Sequence, residues 1–177
     1  ASVQLRQADD LSEIGARGMQ VVVGVADMKV SKQPEEVLVT HALGSCIGVA
    51  IYDPVARVGG ILHFMLPDSA LDPVKGQSHP HMFADTGLPQ LFRECYRLGA
   101  EKSRLRVKAA GGSQVLGNKE FFQIGRRNYA ALRKIFLKNN VLIDNEDVGG
   151  TKARTLFLEI ATGNVWIKVM GQNTIEL

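Results

Sequence analysis

Two apolar segments, IGVAIYD and VGGILHFML, flank the turn-forming sequence DPVA and predict a buried β-hairpin. Asp is favoured at the first position of a type I turn and Pro at the second. If Asp53 pairs with Ala56, the same register places Cys46 directly opposite His63. Opposed Cβ atoms in an antiparallel pair lie about 4.5–5.5 Å apart, so this register predicts a contact between sulfur and imidazole. A slip of one residue would put the two side chains on opposite faces.

The remaining segments of strand type are interrupted by two amphipathic helices, and this order predicts the fold class. The further predicted strands are MQVVVGVADMKVSK, EEVLVT ending at Thr40, SRLRVKAAGG, VLID, RTLFLEI and NVWIKVM. The predicted helices are DTGLPQLFRECYRLGA, with Asp85 or Thr86 as its N-cap, and RRNYAALRKIFLKNN. Residues 67–82 are rich in turn formers and are predicted to be a long loop. We therefore expect an α/β (α+β) domain with mixed or antiparallel sheets.

The length and composition indicate one globular domain. The chain has 177 residues, of which 45% are hydrophobic and 22% charged, values ordinary for a single domain. We expect residues 20–177 to form this domain and the polar segment 1–19 to be loosely ordered. No apolar run approaches the ~20 residues of a membrane-spanning helix, and the first residues contain no apolar signal-peptide core. A net charge of +3 is too small to indicate nucleic acid binding.

The two cysteines stand in different sequence contexts. Cys95 lies on the apolar stripe of a predicted helix and is expected to be a small core residue. Cys46 follows LGS where a loop enters a strand, so nearby backbone N–H groups are not yet committed to a ladder. Gly44 would let a substrate approach the main chain, and free N–H groups near Ser45 and Cys46 could stabilise an oxyanion. Two cysteines in a chain of this length fit a reducing, cytoplasmic setting.

A cysteine beside a histidine indicates nucleophilic chemistry, because the imidazole favours the thiolate and can later protonate a leaving group. Thr40 is a candidate to orient His63, since its hydroxyl can accept a hydrogen bond from an imidazole N–H. The alternative is that all three are packing residues of a sheet, which is the commoner role for such residues on strands.

The segment HPHMFAD carries residue types that can bind a metal. His79, His81 and Asp85 lie close together in the segment HPHMFAD. A loop without metal is the favoured interpretation, because zinc sites are normally held by three or four ligands in a defined geometry.

Six motifs occur in a fixed order along the chain: LGSC, GGILHFMLP, DTGLP, AAGGS, IGRRN and DVGG. Together they resemble the CheD family of chemoreceptor glutamine deamidases, over about residues 20–169. The resemblance implies that Cys46 is the nucleophile, that His63 is its base and that Thr40 completes the triad, with no metal or organic cofactor. It also implies a layered sandwich of packed sheets and flanking helices, similar to the catalytic domains of deamidating toxins.

The resemblance further implies a substrate and partners. The substrate would be selected glutamine side chains in the cytoplasmic helical region of methyl-accepting chemotaxis receptors, with glutamyl methyl esters as a second substrate. A CheC-type phosphatase would be a partner. The alternative is a non-catalytic binding module that regulates such a phosphatase. A cysteine peptidase and a transglutaminase also stay open, and each would be distinguished by its product.

Overall fold

A computed structural model describes residues 18–114, 119–169 and 171–177. The predicted loosely ordered segment 1–19 therefore lies outside the described residues, except for its last two positions. In the described part, the chain forms two five-stranded sheets. The first sheet has the order β1-β3-β8-β9-β10 and the second the order β2-β5-β4-β6-β7. The strands are β1 Met19–Val22, β2 Asp27–Ser31, β3 Glu36–Leu43, β4 Ile47–Asp53, β5 Val58–Phe64, β6 Arg106–Gly111, β7 Asn145–Val148, β8 Arg154–Glu159, β9 Val165–Val169 and β10 Thr174–Glu176.

Three α-helices accompany the sheets in the described part of the chain, and two of them form a layer. These helices are α1 Pro73–Ser78, α2 Ala84–Arg97 and α3 Lys119–Lys138. Alternate residues of β4 divide between two cores, as the period of a strand requires. Ile47 and Val49 pack with Leu88 of α2 and Leu132 of α3, whereas Ala50 and Tyr52 pack with Leu156, Leu158 and Ile167 of the first sheet. The second sheet is thus the middle layer, and the predicted layered α+β fold is confirmed.

The first predicted strand is in fact two strands that belong to different sheets. β1 pairs in parallel with β3, and β2 pairs antiparallel with β5. The chain crosses between the layers through a turn in which Ala26 has a φ of 57°, a conformation that ends a regular strand. The prediction of one strand was wrong because the apolar pattern continues through this crossing.

Three further boundary predictions were wrong. Residues 141–144 are not a strand. The strand that pairs with the outer edge of β6 is β7, and the Asp144 carboxylate accepts a hydrogen bond from Val107 N. Residues 67–82 are not an unstructured loop, because they contain α1 and two turns of 3-10 helix. Helix α2 begins at Ala84 with Phe83 as N-cap, and the Asp85 carboxylate instead accepts bonds from the N and Oγ of Ser69.

The hairpin of β4 and β5 forms with a different register from the predicted one. Asp53 pairs with Val58 and Gly48 pairs with His63, so the loop is two residues longer than a DPVA turn allows. The buried Asp53 carboxylate accepts bonds from Val55 N and Ala56 N and pairs with Arg104. The longer loop is stable because the carboxylate accepts hydrogen bonds from the backbone of the loop and also binds the Arg104 side chain of a neighbouring segment.

Candidate active site

Cys46 and His63 share one face of the second sheet, although they are not directly opposed. Gly48 is the residue opposite His63, and Cys46 precedes Gly48 by two positions. A register error of two residues preserves the face, and Cys46, one residue before β4, packs against the same core as Ala50 and Tyr52 on that face. Gly48 carries no side chain between them. The predicted direct opposition was therefore wrong, and the contact between the Cys46 sulfur and the imidazole stays a prediction.

Thr40 reaches His63 across the two sheets. Its Oγ1 lies 2.7 Å from Nδ1 of His63 and donates its own hydrogen to the carbonyl of Val23 at 2.8 Å. Because the hydroxyl has one hydrogen, it must accept the bond from Nδ1–H. This assigns the neutral tautomer in which Nε2 carries a lone pair. Thr40 and His63 are both fully buried, and Nε2 has no hydrogen-bond partner among the described residues.

Burial keeps both members of the pair uncharged. It lowers the pKa of His63 to about 4 and raises the pKa of the Cys46 thiol, a shift that a backbone hydrogen bond at Cys46 opposes. At neutral pH the free protein thus holds a thiol and a neutral imidazole. This differs from the thiolate that the sequence led us to expect, and the physical reason is that desolvation disfavours both charged forms. The lone pair on Nε2 can accept a proton.

The segment that carries Cys46 is fixed through its carbonyl groups. Gly44 O accepts from Ser113 N at 2.8 Å and Cys46 O from Gly112 N at 2.9 Å, while Ser45 O accepts from Asn128 Nδ2 at 2.9 Å. The N–H of Gly44 donates to Ala42 O, so it is not free to bind an oxyanion. In the described part of the chain, the N–H groups of Ser45 and Cys46 donate to no other residue. They are the backbone donors available beside the sulfur.

Glycine is required where β6 ends beside this segment. Gly111 and Gly112 have φ values of 115° and 61°, which side chains rarely adopt. A Cβ on Gly111 would overlap the carbonyl oxygen of Cys46. These two glycines therefore contact the main chain of the segment that carries Cys46.

His79, His81 and Asp85 each contact another side chain. His79 Nδ1 lies 2.8 Å from Ser78 Oγ, and His81 Nε2 lies 2.7 Å from Gln90 Oε1. The Asp85 carboxylate is bound to Ser69. Across residues 18–114, 119–169 and 171–177, no cluster of three or more His, Cys, Asp or Glu side chains has a geometry that would hold a metal ion.

The sequence did not reveal two residues that shape the site. Val23 orients the Thr40 hydroxyl through its carbonyl, a role that no side-chain pattern signals. Asn128 binds Ser45 O and also Met65 O, the latter at 2.8 Å. Its position in the motif IGRRN was the available signal. No helix in residues 18–114, 119–169 or 171–177 is long and apolar enough to span a bilayer.

Comparison with known proteins agrees with the motifs. Residues 65–169 match the family model "CheD chemotactic sensory transduction". The protein named "Probable chemoreceptor glutamine deamidase CheD 1" of Syntrophus aciditrophicus is 54% identical over 157 residues, which cover 89% of this chain and 98% of that protein. "Probable chemoreceptor glutamine deamidase CheD" of Solibacter usitatus is 52% identical over 86% of this chain and 90% of its own. The chain belongs to the CheD family.

Proposed function

We propose that this protein hydrolyses selected glutamine side chains of chemotaxis receptors to glutamate, with Cys46 as nucleophile, His63 as base and Thr40 as the residue that orients His63. The names of its relatives support this activity, because they describe chemoreceptor glutamine deamidases. The receptor region would be the cytoplasmic helical part, and the protein would act in the cytoplasm.

The observation that carries the proposal is the bond between Thr40 Oγ1 and His63 Nδ1. Since the Thr40 hydrogen is used on Val23 O, the lone pair of His63 is confined to Nε2. This atom lies on the face of the sheet that carries Cys46. A packing histidine would not need a tautomer fixed in this way, nor a buried Nε2 without a partner.

In the first half-reaction, the Cys46 sulfur attacks the carboxamide carbon of glutamine and its proton passes to His63 Nε2. The N–H groups of Ser45 and Cys46 donate to the oxyanion; loss of one such donor typically costs about 10²–10³ in rate. The C–N bond then breaks as His63 returns the proton to the nitrogen. Ammonia leaves, and the glutamyl group remains as a thioester on Cys46.

In the second half-reaction, a water molecule gives a proton to His63 Nε2 and attacks the thioester carbon. The C–S bond breaks, and His63 returns the proton to sulfur. The products are glutamate and the original thiol, so water is the single co-reactant that the balance requires. A glutamyl methyl ester would form the same thioester and release methanol in place of ammonia, which makes it a second substrate of the same site.

The test is incubation of a purified receptor cytoplasmic fragment with the enzyme in heavy-oxygen water. We expect ammonia release and one heavy oxygen in each new glutamate, located by peptide mass spectrometry. Cys46→Ala should abolish both signals, whereas Cys95→Ala, which changes a buried core cysteine, should retain them. Equal rates for Cys46→Ala and the parent would refute the proposed chemistry.

The same experiment separates the other functions. A non-catalytic module that regulates a CheC-type phosphatase would bind the phosphatase yet leave the receptor mass unchanged. A peptidase would shorten the receptor, and a transglutaminase would attach an added amine. Binding of a CheC-type phosphatase belongs to our proposal as a regulatory interaction and is tested by its effect on the deamidation rate.

A further inference from the structure

We propose that Asn128 is a positioning residue of this site. Its carboxamide connects the segment that carries Cys46, here called the nucleophile segment, to the segment that carries His63, here called the base segment. Asn128 lies on α3 and is fully buried. Its Nδ2 donates to Ser45 O at 2.9 Å and to Met65 O at 2.8 Å. This role rests on the proposed function, because it concerns the distance between Cys46 and His63.

The two acceptors of Asn128 belong to the two reacting segments. Ser45 immediately precedes Cys46, and Met65 follows His63 by two residues. Both carbonyls lie just beyond the paired ends of the hairpin, whose last pair is Ile47 and Phe64. Beyond that pair the ladder no longer fixes the register, so the carboxamide extends the connection past the end of the strands.

A primary amide is suited to this position because its nitrogen carries two hydrogens. Both hydrogens are directed at carbonyl oxygens. If the carboxamide were flipped by 180°, Oδ1 would face the same two carbonyl oxygens, and acceptor would meet acceptor, so the flipped orientation is excluded. Oδ1 is buried and has no partner among the described residues. A buried oxygen without a hydrogen bond is unfavourable. The two hydrogen bonds of Nδ2 to Ser45 O and Met65 O offset this cost, so the carboxamide keeps this orientation.

Helix α3 comes close enough for this contact because of a glycine one turn earlier. A Cβ on Gly125 would lie 2.8 Å from the carbonyl oxygens of both Gly112 and Ser113. The N–H groups of these two residues bind Cys46 O and Gly44 O. The helix therefore packs directly on the strand end that holds the nucleophile segment, and Asn128 adds the link to the base segment.

The link has a catalytic consequence because Cys46 and His63 share no side-chain hydrogen bond in this structure; His63 Nε2 has no partner among the described residues. Their separation is thus set by the backbone. A displacement of about 1 Å in a reacting group can reduce the rate about 10²-fold. Loss of Asn128 should therefore lower kcat and leave KM for the receptor nearly unchanged, since the residue is buried behind the site.

The experiment compares Asn128→Ala, Asn128→Ser and the control Asn139→Ala, at temperatures well below each Tm. Asn139 is an exposed asparagine that follows α3, and its Nδ2 also binds a carbonyl, that of Ile135, at 2.8 Å. We expect kcat to fall about 10²-fold for Ala and less for Ser, which keeps one donor. We also expect the pH profile of Cys46 alkylation by iodoacetamide to shift in both variants. Asn139→Ala should change neither.

A kcat within threefold of the parent for folded Asn128→Ala, with an unchanged alkylation profile, would overturn the positioning role. If both variants are unfolded, the test is the rate of hydrogen exchange of the side-chain amides in the parent protein. Exchange of the Asn128 side-chain hydrogens as fast as those of Asn139 would also overturn the positioning role. Failure of the proposed function is distinguishable, because then Cys46→Ala would deamidate the receptor like the parent. Alkylation needs no receptor and reports on the geometry alone.

Discussion

Thr40 and His63 stand on different sheets, and a bond of 2.7 Å between Oγ1 and Nδ1 joins them across the interior of the sandwich. The orientation of the imidazole therefore depends on the packing of the two layers. The Thr40 hydroxyl is in turn directed by Val23 O at the crossing between the sheets. In the proposed triad, a neutral donor–acceptor chain would take the place that a carboxylate fills in many triads.

Replacement of Thr40 by Val should lower kcat at least about tenfold, because the favoured tautomer and orientation of His63 lose their support. Thr40→Ser keeps the hydroxyl and should retain most of the activity. Steady-state kinetics on a receptor fragment check this, with thermal unfolding to confirm that each variant is folded. Equal activity of the Val variant and the parent would show that the hydroxyl has no part in the reaction.

The pH dependence of stability should carry the signature of His63. Its pKa is about 4 in the folded protein, against an ordinary value of 6.5. Between these values the unfolded chain binds more protons, so the free energy of unfolding falls as the pH drops from 6.5 through 4. The loss attributable to this group is about 3 kcal/mol. Urea unfolding at a series of pH values should show this slope, and His63→Gln should remove it.

The acid limb of activity follows from the same pKa. If His63 is the base, as proposed, it must be neutral to act, so kcat/KM should persist below pH 6.5 and decline only as the pH approaches 4. Initial rates of ammonia release across this range measure the limb. A midpoint near 6.5 would mean that His63 is not desolvated in the working enzyme.

Selective alkylation should distinguish the two cysteines. Cys95 is fully buried, and burial raises its pKa to about 12, whereas Cys46 is partly exposed. Iodoacetamide at mildly alkaline pH should therefore modify Cys46 alone in the native protein, more slowly than a free thiol, because burial raises the pKa of Cys46 as well. Peptide mapping locates the adduct. Loss of activity in proportion to the adduct is expected; full activity after complete modification of Cys46 would exclude it as nucleophile.

Gly111→Ala and Gly99→Ala form a matched pair. Both glycines have a φ above 100°, so both substitutions carry the cost of that conformation. A Cβ on Gly99 meets no atom within 4 Å, whereas one on Gly111 collides with Cys46 O. Gly99→Ala should thus lower stability by about 1–3 kcal/mol and leave kcat unchanged. Gly111→Ala should lower stability further and reduce kcat by displacing the nucleophile segment, as measured by unfolding and kinetics. Equal effects of both would contradict this contact.

Asp53→Asn should affect stability without affecting chemistry. Asp53 lies at the far end of β4 from Cys46, and its buried carboxylate binds Arg104, Glu101 N and the hairpin loop. These partners hold its pKa well below the ordinary value, so the charged form stabilises the fold at neutral pH. Removal of the charge should cost about 3 kcal/mol, measured by denaturant unfolding. kcat at a temperature where the variant is folded should equal that of the parent.

Much of the local structure was predictable because it depends on side-chain periodicity. The strands IGVAIYD, RTLFLEI and NVWIKVM, the apolar faces of α2 and α3 and the burial of Cys95 follow from patterns of neighbouring residues. The common face of Cys46 and His63 was also predictable, since a register error of two residues does not change the face. The split of the first predicted strand was not, because β1 and β2 share one apolar pattern while they pair in different sheets.

The sequence by itself thus determined which segments are strands or helices, which side chains face inward, and which motifs the chain shares with the CheD family. Only the tertiary structure decided the hairpin register, the bond from Thr40 to His63 and the bridge from Asn128 to Ser45 and Met65. The physical reason is that periodicity is set by residues adjacent in the chain, whereas these contacts join segments far apart in it. Their geometry depends on how the layers pack and on where buried polar groups find partners.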